Sequence, residues 1–444
     1  MEQTSVAGAA ASADDAALRP SVVTREAVAT ATAPHQPRPL GRNRDFLLLW
    51  TGQAVSVFGT RVAAIAYPLL VLSLTHSPAK VGLVSFANWI PAVLFGLPAG
   101  ALVDRWDRRR VMIWCDLGRA AALASIVVTL DAGVLTYPQV LAVAFCDRAL
   151  GLLFGPAEVS ALRHVVAPTQ LARAIARNES REYSALLVGT PAGGALFAVS
   201  RSAPFLADTI SYCASALGLL LIRTKFQEAP APRRRLRHEV AEGVAHLWRE
   251  PFLRTTVLLE AGANFVSNGV AIVAIVVART SLGASATDVG LMLAIAAVGG
   301  LVGSLVAPLV QPRVPPRLVV AVGTWSWALL VPLFAFAPSA YALGGIFGVM
   351  LLTAPAWNSV VSARRISFVP DRLQGRVQSA AQLFSLGAIA LGTLVAGFML
   401  GAVGRDATIA FFAVSMASVA VVGTLAPSVR RALTSAAEPA SSRA

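Results

Sequence analysis

The sequence predicts an all-α integral membrane protein with twelve transmembrane helices in two six-helix bundles. Three observations carry that prediction. The first is composition: 56% of residues are hydrophobic and 14% charged, against about 25% charged in a soluble domain, and mean hydropathy is +0.67. The second is length. Apolar runs near the roughly 20 residues a helix needs to cross a bilayer recur at 45–74, 81–103, 111–131, 138–162, 179–200, 204–222, 252–279, 288–310, 318–336, 340–362, 376–400 and 407–427. The third is where the cations fall. With both termini on one side, Lys80, Arg201, Arg279 and Arg405 fall on the other side, and Arg61, Arg119 and Arg148 fall inside spans. The rest of the 37 Lys and Arg residues collect in the tails, in the loops after even-numbered spans and in the first turns of the spans that follow those loops. Basic loops stay cytoplasmic, so both termini are placed inside. A net charge of +14 would suggest a nucleic-acid partner in a soluble chain. Here the cations follow membrane topology, and no such partner is expected.

Taken in order, residues 1–42 read as a disordered cytoplasmic tail. They are rich in Ala, Pro and Thr and lack the parts of a signal peptide. Residues 43–222 hold the first bundle. The linker, 223–251, is basic and Pro-rich at its front, with Arg233, Arg234 and Arg235 as a topology anchor near anionic lipid. In its second part Val240, Val244, Leu247 and Trp248 share one helical face, which predicts an amphipathic helix lying on the inner membrane surface. Residues 252–428 hold the second bundle and 429–444 a cytoplasmic tail. The halves repeat one another. SPAKVGL (77–83) matches SATDVGL (285–291), RHVVAPTQLARA (163–174) matches RISFVPDRLQGR (365–376), and GTPAGG (189–194) matches GTLVAG (392–397), all in the same order. Such matches point to duplication of a six-span unit. Two bundles joined by an inner linker suit a carrier whose midplane site opens to each side in turn.

Charge inside or beside the spans marks the candidate machinery. GALVDRWDRRR (100–110) ends the second span. Its arginines act as a stop signal, but acids contribute little to topology, so Asp104 and Asp107 need another role. A carboxylate there can accept from a helix N-terminus or pair with arginine. In CDRALGLLFGP (146–156), Asp147 and Arg148 lie inside the fourth span, where an isolated charge costs about 2.5–3.5 kcal/mol. Asp147 can instead snorkel if it sits near the outer interface. Arg61, Asp208 and Glu260 are further intramembrane charges, with Asp147 and Asp208 both open as partners of Arg61. Asn264 follows Glu260 on the same face. Trp89, Asn264, Asn268, Trp357 and Asn358 provide aromatic faces and amides for a mainly apolar cavity.

Other chemistries lack their residues. The only lysines, Lys80 and Lys225, follow Ala79 and Thr224, so there is no Walker A loop. The five histidines fall in tails or loops without HExxH, and no GxSxG occurs, so an enzyme is not expected. Cys115, Cys146 and Cys213 have no paired spacing, and neither a disulfide, a metal nor a cofactor is expected.

RNRDFLLLWTGQAVSVFGTR (42–61), GALVDRWDRRR and FGPAEVSALRHVVAPTQLARAIARN (154–178) together resemble a major facilitator superfamily transporter. More narrowly they are similar to the branch that holds macrolide efflux proteins and the enterobactin exporter, over about residues 42–427. The resemblance implies that Gly100, Asp104, Arg105, Arg108 and Arg109 form a cytoplasmic latch, with Asp104 as its acid and the start of the eleventh span near Arg376 as the opposing face. Asp107 stands where the general motif has Gly. It implies that Arg148 is the fourth-helix arginine linked to proton coupling, joined as candidates by Asp147, Glu260, Asp208 and Arg61. Many relatives carry an acid where Thr60 stands here. GTPAGG resembles the antiporter motif through Gly189, Pro191, Gly193 and Gly194, with Thr190 in place of Gly. The expectation is a secondary-active exporter of a hydrophobic or amphipathic small molecule (drug, antibiotic or secondary metabolite) in exchange for protons, in a bacterial inner membrane. It would contact membrane lipid and act as a monomer. A proton-independent carrier, or an importer of a metabolite or siderophore, is the alternative.

Overall fold

The computed structural model describes residues 39–103, 105–224, 226 and 236–434, with side chains described except at 97, 101, 236–240 and 431–434. The expected N-terminal tail up to residue 38, the C-terminal residues from 435 and the arginine run of the linker lie outside the described residues. Six long helices come first: α1 (Arg44–Thr75), α2 (Pro78–Val103), α3 (Arg108–Asp131), α4 (Tyr137–Val165), α5 (Leu171–Val199) and α6 (Ala203–Leu221). After the short α7 (Leu236–Arg249) come α8 (Pro251–Thr280), α9 (Ala286–Val310), α10 (Pro316–Leu330), α11 (Ala340–Phe368), α12 (Asp371–Ala402), α13 (Gly404–Leu425) and the terminal α14 (Pro427–Thr434). No strand occurs among the described residues.

Eleven of these helices are long and apolar enough to cross a membrane. The remaining long helix, α5, has 29 residues, ample for a crossing. Its first half carries Arg173, Arg177, Glu179, Arg181 and Glu182, which dilute its hydropathy. Several helices run past the apolar stretch that predicts them, because polar first and last turns stay helical outside the hydrocarbon. The expected span at 318–336 is α10 followed by a 3-10 segment over Val331–Phe336. Pro332 lacks an amide and its ring clashes with the preceding turn, so the regular helix stops there.

Loops 76–77, 132–136, 200–202, 281–285 and 403 gather at one face, and α7 and α14 lie at the other, here termed the far face and the linker face. At the far face the halves touch backbone to backbone. A Cβ on Gly82 of α2 would lie 2.8 Å from the Cα of Gly397 in α12, and one on Gly194 of α5 2.9 Å from the Cα of Gly290 in α9. Small residues permit such approach between membrane helices. The largest buried apolar cluster spans both halves here, joining Ile65 and Leu69 of α1 to Val270 and Val273 of α8. Toward the linker face it divides. One cluster holds Phe46, Met112, Phe154 and Leu219 of the first half; separate ones hold Leu247, Leu253 and Val377 and Leu259, Val320 and Val361. Leu94 is 54% exposed, and nothing lies within 4 Å of a Cβ on Gly96 or Gly100. The molecule is therefore sealed at the far face and parted at the linker face.

The sequence predicts that α7 lies on the membrane surface, and in the structure part of its apolar face packs against the second half. Leu247 is fully buried among Phe252, Leu253 and Val377. Trp248 meets Phe384 of α12 edge-on at 5.7 Å, and Glu242 pairs with Arg376. A moment pointing at lipid and one pointing at a neighbouring helix look alike in sequence.

Candidate functional site between and within the two halves

The loop between α2 and α3 organises its own half. Asp107 caps α3, accepting from the Arg110 amide at 3.1 Å, the role open to an acid at a helix N-terminus. Arg109 donates to the carbonyls of Leu219 at 2.9 Å and Leu220 at 2.7 Å, closing the C-terminal end of α6, where a cation complements the helix dipole. Arg108 donates to the Phe226 carbonyl at 3.0 Å, while Arg105 is exposed. Asp104 lies outside the described residues. Gly100, expected to belong to the latch, has open space beside it, because the halves are parted here. Arg376, on the expected opposing face, is engaged by Glu242.

A buried charge cluster fills the interior of the first half. Arg119 of α3 donates through Nε to Asp147 of α4 at 2.8 Å, and its guanidinium lies over the Tyr212 ring at 4.1 Å. The Tyr212 hydroxyl donates to Asp147 at 3.3 Å and stands 2.9 Å from the Thr60 hydroxyl. Asp147 is 6% exposed and held inside the bundle, so the snorkelling alternative does not apply. Asp208, 1% exposed, accepts from Ser211 at 2.9 Å. A second network lies nearer the interface between halves. Arg61 pairs with Glu182 of α5 at 3.2 Å, not with Asp147 or Asp208. Arg181 binds Glu158 of α4 at 2.9 Å and Glu182 at 3.4 Å. Arg148 stacks on Trp89 of α2, 4.9 Å from the ring centre.

In the second half Glu260 of α8 pairs with the buried Arg365 of α11. One turn on, Asn264 donates to Ser385 of α12 at 2.6 Å, and Asn268 donates to the Asn264 carbonyl at 3.0 Å. Asn264, Trp357 and Asn358 line one cavity of about 170 Å³ with Gly323, Trp327 and Met416. A second, of about 350 Å³, lies between α5, α9 and α11 and shares Leu351, Ala354 and Asn358 with the first. Trp89 and Asn268 are not in the lining of either. The α5 glycines sit at contacts: a Cβ on Gly189 would lie 2.7 Å from the Arg61 Cβ, one on Gly193 2.6 Å from Ile65 Cγ2, and Gly194 faces α9. Pro191 lies among them inside the helix.

Residues 36–443 match the model of one family, the transmembrane secretion effectors. The chain belongs to that family, within the major facilitator superfamily. Among curated relatives, the transporter is 27% identical over 394 residues to the multidrug efflux pump Tap of Mycolicibacterium fortuitum, covering 84% of this chain and 93% of that one. It is 29% identical over 157 residues to macrolide efflux protein A of Streptococcus pyogenes, covering 35% of this chain and 38% of that one. Among solved structures it is similar in fold to a bacterial homologue of the iron transporter ferroportin in the inward-facing state, with TM-score 0.71, 13% identity and coverage of 90% and 100%. The nucleoside transporter NupG gives TM-score 0.70, 13% identity and coverage of 89% and 100%. These families are transporters rather than enzymes.

Sequence reasoning missed five of the transporter's interior charges as site members. Arg119 is visible as an intramembrane cation but its partner is not. Arg365 reads as a loop residue because α11 runs six residues past its apolar stretch. Asp116 lies inside the third apolar run, and an acid there is a signal in its own right. Glu158 and Arg181 lie within the last and first turns of the fourth and fifth spans, where charges read as helix ends.

Proposed function

We propose that this transporter exports a hydrophobic or amphipathic small molecule (a drug, antibiotic or secondary metabolite) across a bacterial inner membrane in exchange for protons. The observation that carries the reading is the pair of mainly apolar cavities that share Asn358, one within the second half and one between α5, α9 and α11. An apolar lining with a few fixed amides and indoles suits a bulky amphipathic ligand. The positive-inside distribution supports a cytoplasmic linker face, so the parted side is the one from which an exporter collects its cargo. Efflux pumps among the relatives support the same direction. Asp147 and Asp208, buried in the first half, supply groups able to hold protons, and with Arg148, Arg61 and the second half's Glu260 they make up the coupling set. Asp104, Arg105, Arg108 and Arg109 would latch the halves when the cytoplasmic side closes. The protein works as a monomer in contact with lipid, and both termini are cytoplasmic.

Cells making the protein are loaded with a panel of dyes and antibiotics, and efflux is followed with and without a protonophore. Export that stops when the gradient collapses is the expected result. Export that continues removes proton exchange, and accumulation driven by the protein reverses the direction.

A further inference from the structure

Asp116 lies in α3, which packs against α4 and α6, and is 0% exposed. Neither of its carboxyl oxygens makes a close hydrogen bond, and the Ser215 hydroxyl is the neutral group that faces them. Each arginine that could balance it is engaged elsewhere. Arg119, one turn along the same helix, is bound to Asp147. Arg181 of α5 is bound to Glu158, and Arg148 of α4 lies over Trp89. The other polar groups around Asp116 are Ser215 of α6, whose hydroxyl accepts from Gln53 of α1 at 2.8 Å, and Glu158 of α4, an acid of the same sign.

A buried, ionised carboxylate without a balancing cation costs many kcal/mol, and in practice such a group takes up a proton instead. Ionisation of Asp116 needs either water or a cation, and breaking the Arg119–Asp147 pair would supply the cation one helical turn away. Resting on the proton-exchange reading above, we propose that Asp116 is a proton-carrying residue of the transport cycle, neutral in this linker-face-open arrangement and ionised when the first half rearranges. The balance is simple: one O–H bond of the acid breaks, the proton leaves to water on one side of the membrane, and the carboxylate is neutralised by a proton from the other side. Arg119 then serves Asp147 and Asp116 in turn.

The test has two arms on the full chain. In the first, infrared spectra of the purified wild type and Asp116→Asn are subtracted at neutral pH. A carbonyl stretch of a neutral carboxylic acid must be present in the wild type and missing from the variant; its absence from the difference overturns the proposal. In the second, ethidium is the probe in proteoliposomes, read as gradient-driven transport and as gradient-independent exchange. Asn has the shape of the neutral acid, so the variant should keep its fold and the exchange half-reaction while driven transport falls to the level of protein-free vesicles. Wild-type driven transport in Asp116→Asn, or loss of fold or exchange, overturns the proposal. Wild-type protein that ignores the gradient overturns proton exchange itself, and that outcome is read before the variant is compared.

Discussion

Arg119 holds one carboxylate with its Nε and one aromatic face with its guanidinium plane, and both contacts are shut away from water. Removing one member of a buried pair leaves the other charge uncompensated, at about 3–5 kcal/mol. Asp147→Asn should therefore lower the thermal midpoint in detergent sharply, and adding Arg119→Met should recover most of the loss. Arg61–Glu182, about 40% exposed on each side, is a different case. Water screens such a pair to about 1 kcal/mol or less, so Arg61→Gln should leave the midpoint nearly unchanged in the same scan. These differences were only partly legible in the sequence. The intramembrane position of Asp147, Arg148, Asp208 and Glu260 can be read from hydropathy. Which charge meets which depends on helix rotation, and a rotation of one residue, about 100°, exchanges partners. Arg61 illustrates the point, since its choice of Glu182 over Asp147 follows from the side of α1 that faces α5.

Between elements, the glycines of α2, α5, α9 and α12 decide how the halves meet. Gly82 and Gly397, like Gly194 and Gly290, touch through backbone, so a side chain there has no flexible neighbour to displace. Gly82→Leu should prise α2 from α12 and weaken the far-face seal. With Cys115, Cys146 and Cys213 replaced, spin labels at Ser77 and Arg405 should move apart in pulsed magnetic resonance. An unchanged distance would show that the seam tolerates the side chain. The glycines of GTPAGG are legible as small residues in a membrane helix. That Gly193 faces α1 while Gly194 faces the other half is not, because adjacent residues point in different directions and only the packed structure assigns the neighbours. The linker helix is a similar case: its periodicity is plain in sequence, and its packing against α12 is not.

At the scale of the molecule, the six-plus-six arrangement follows from hydropathy, cation placement and internal repetition, all recorded along the chain. The conformational state leaves no such record, since one sequence must support every state of the cycle. If Asp104 latches the closed cytoplasmic side, Asp104→Asn should slow drug export while leaving expression and fold intact. A fully active variant would count against the latch. The halves are also unequal: the buried acids Asp116, Asp147 and Asp208 belong to the first, and the Asn264–Trp357–Asn358 cavity lies wholly in the second. On the proposed function, most of the proton-holding acids are thus inherited with the first half and the amide-and-indole cavity with the second. Selection for resistance to a new compound should find its substitutions in α8, α10 and α11, leaving the Arg119 cluster untouched, and sequencing of resistant lines would read that division directly.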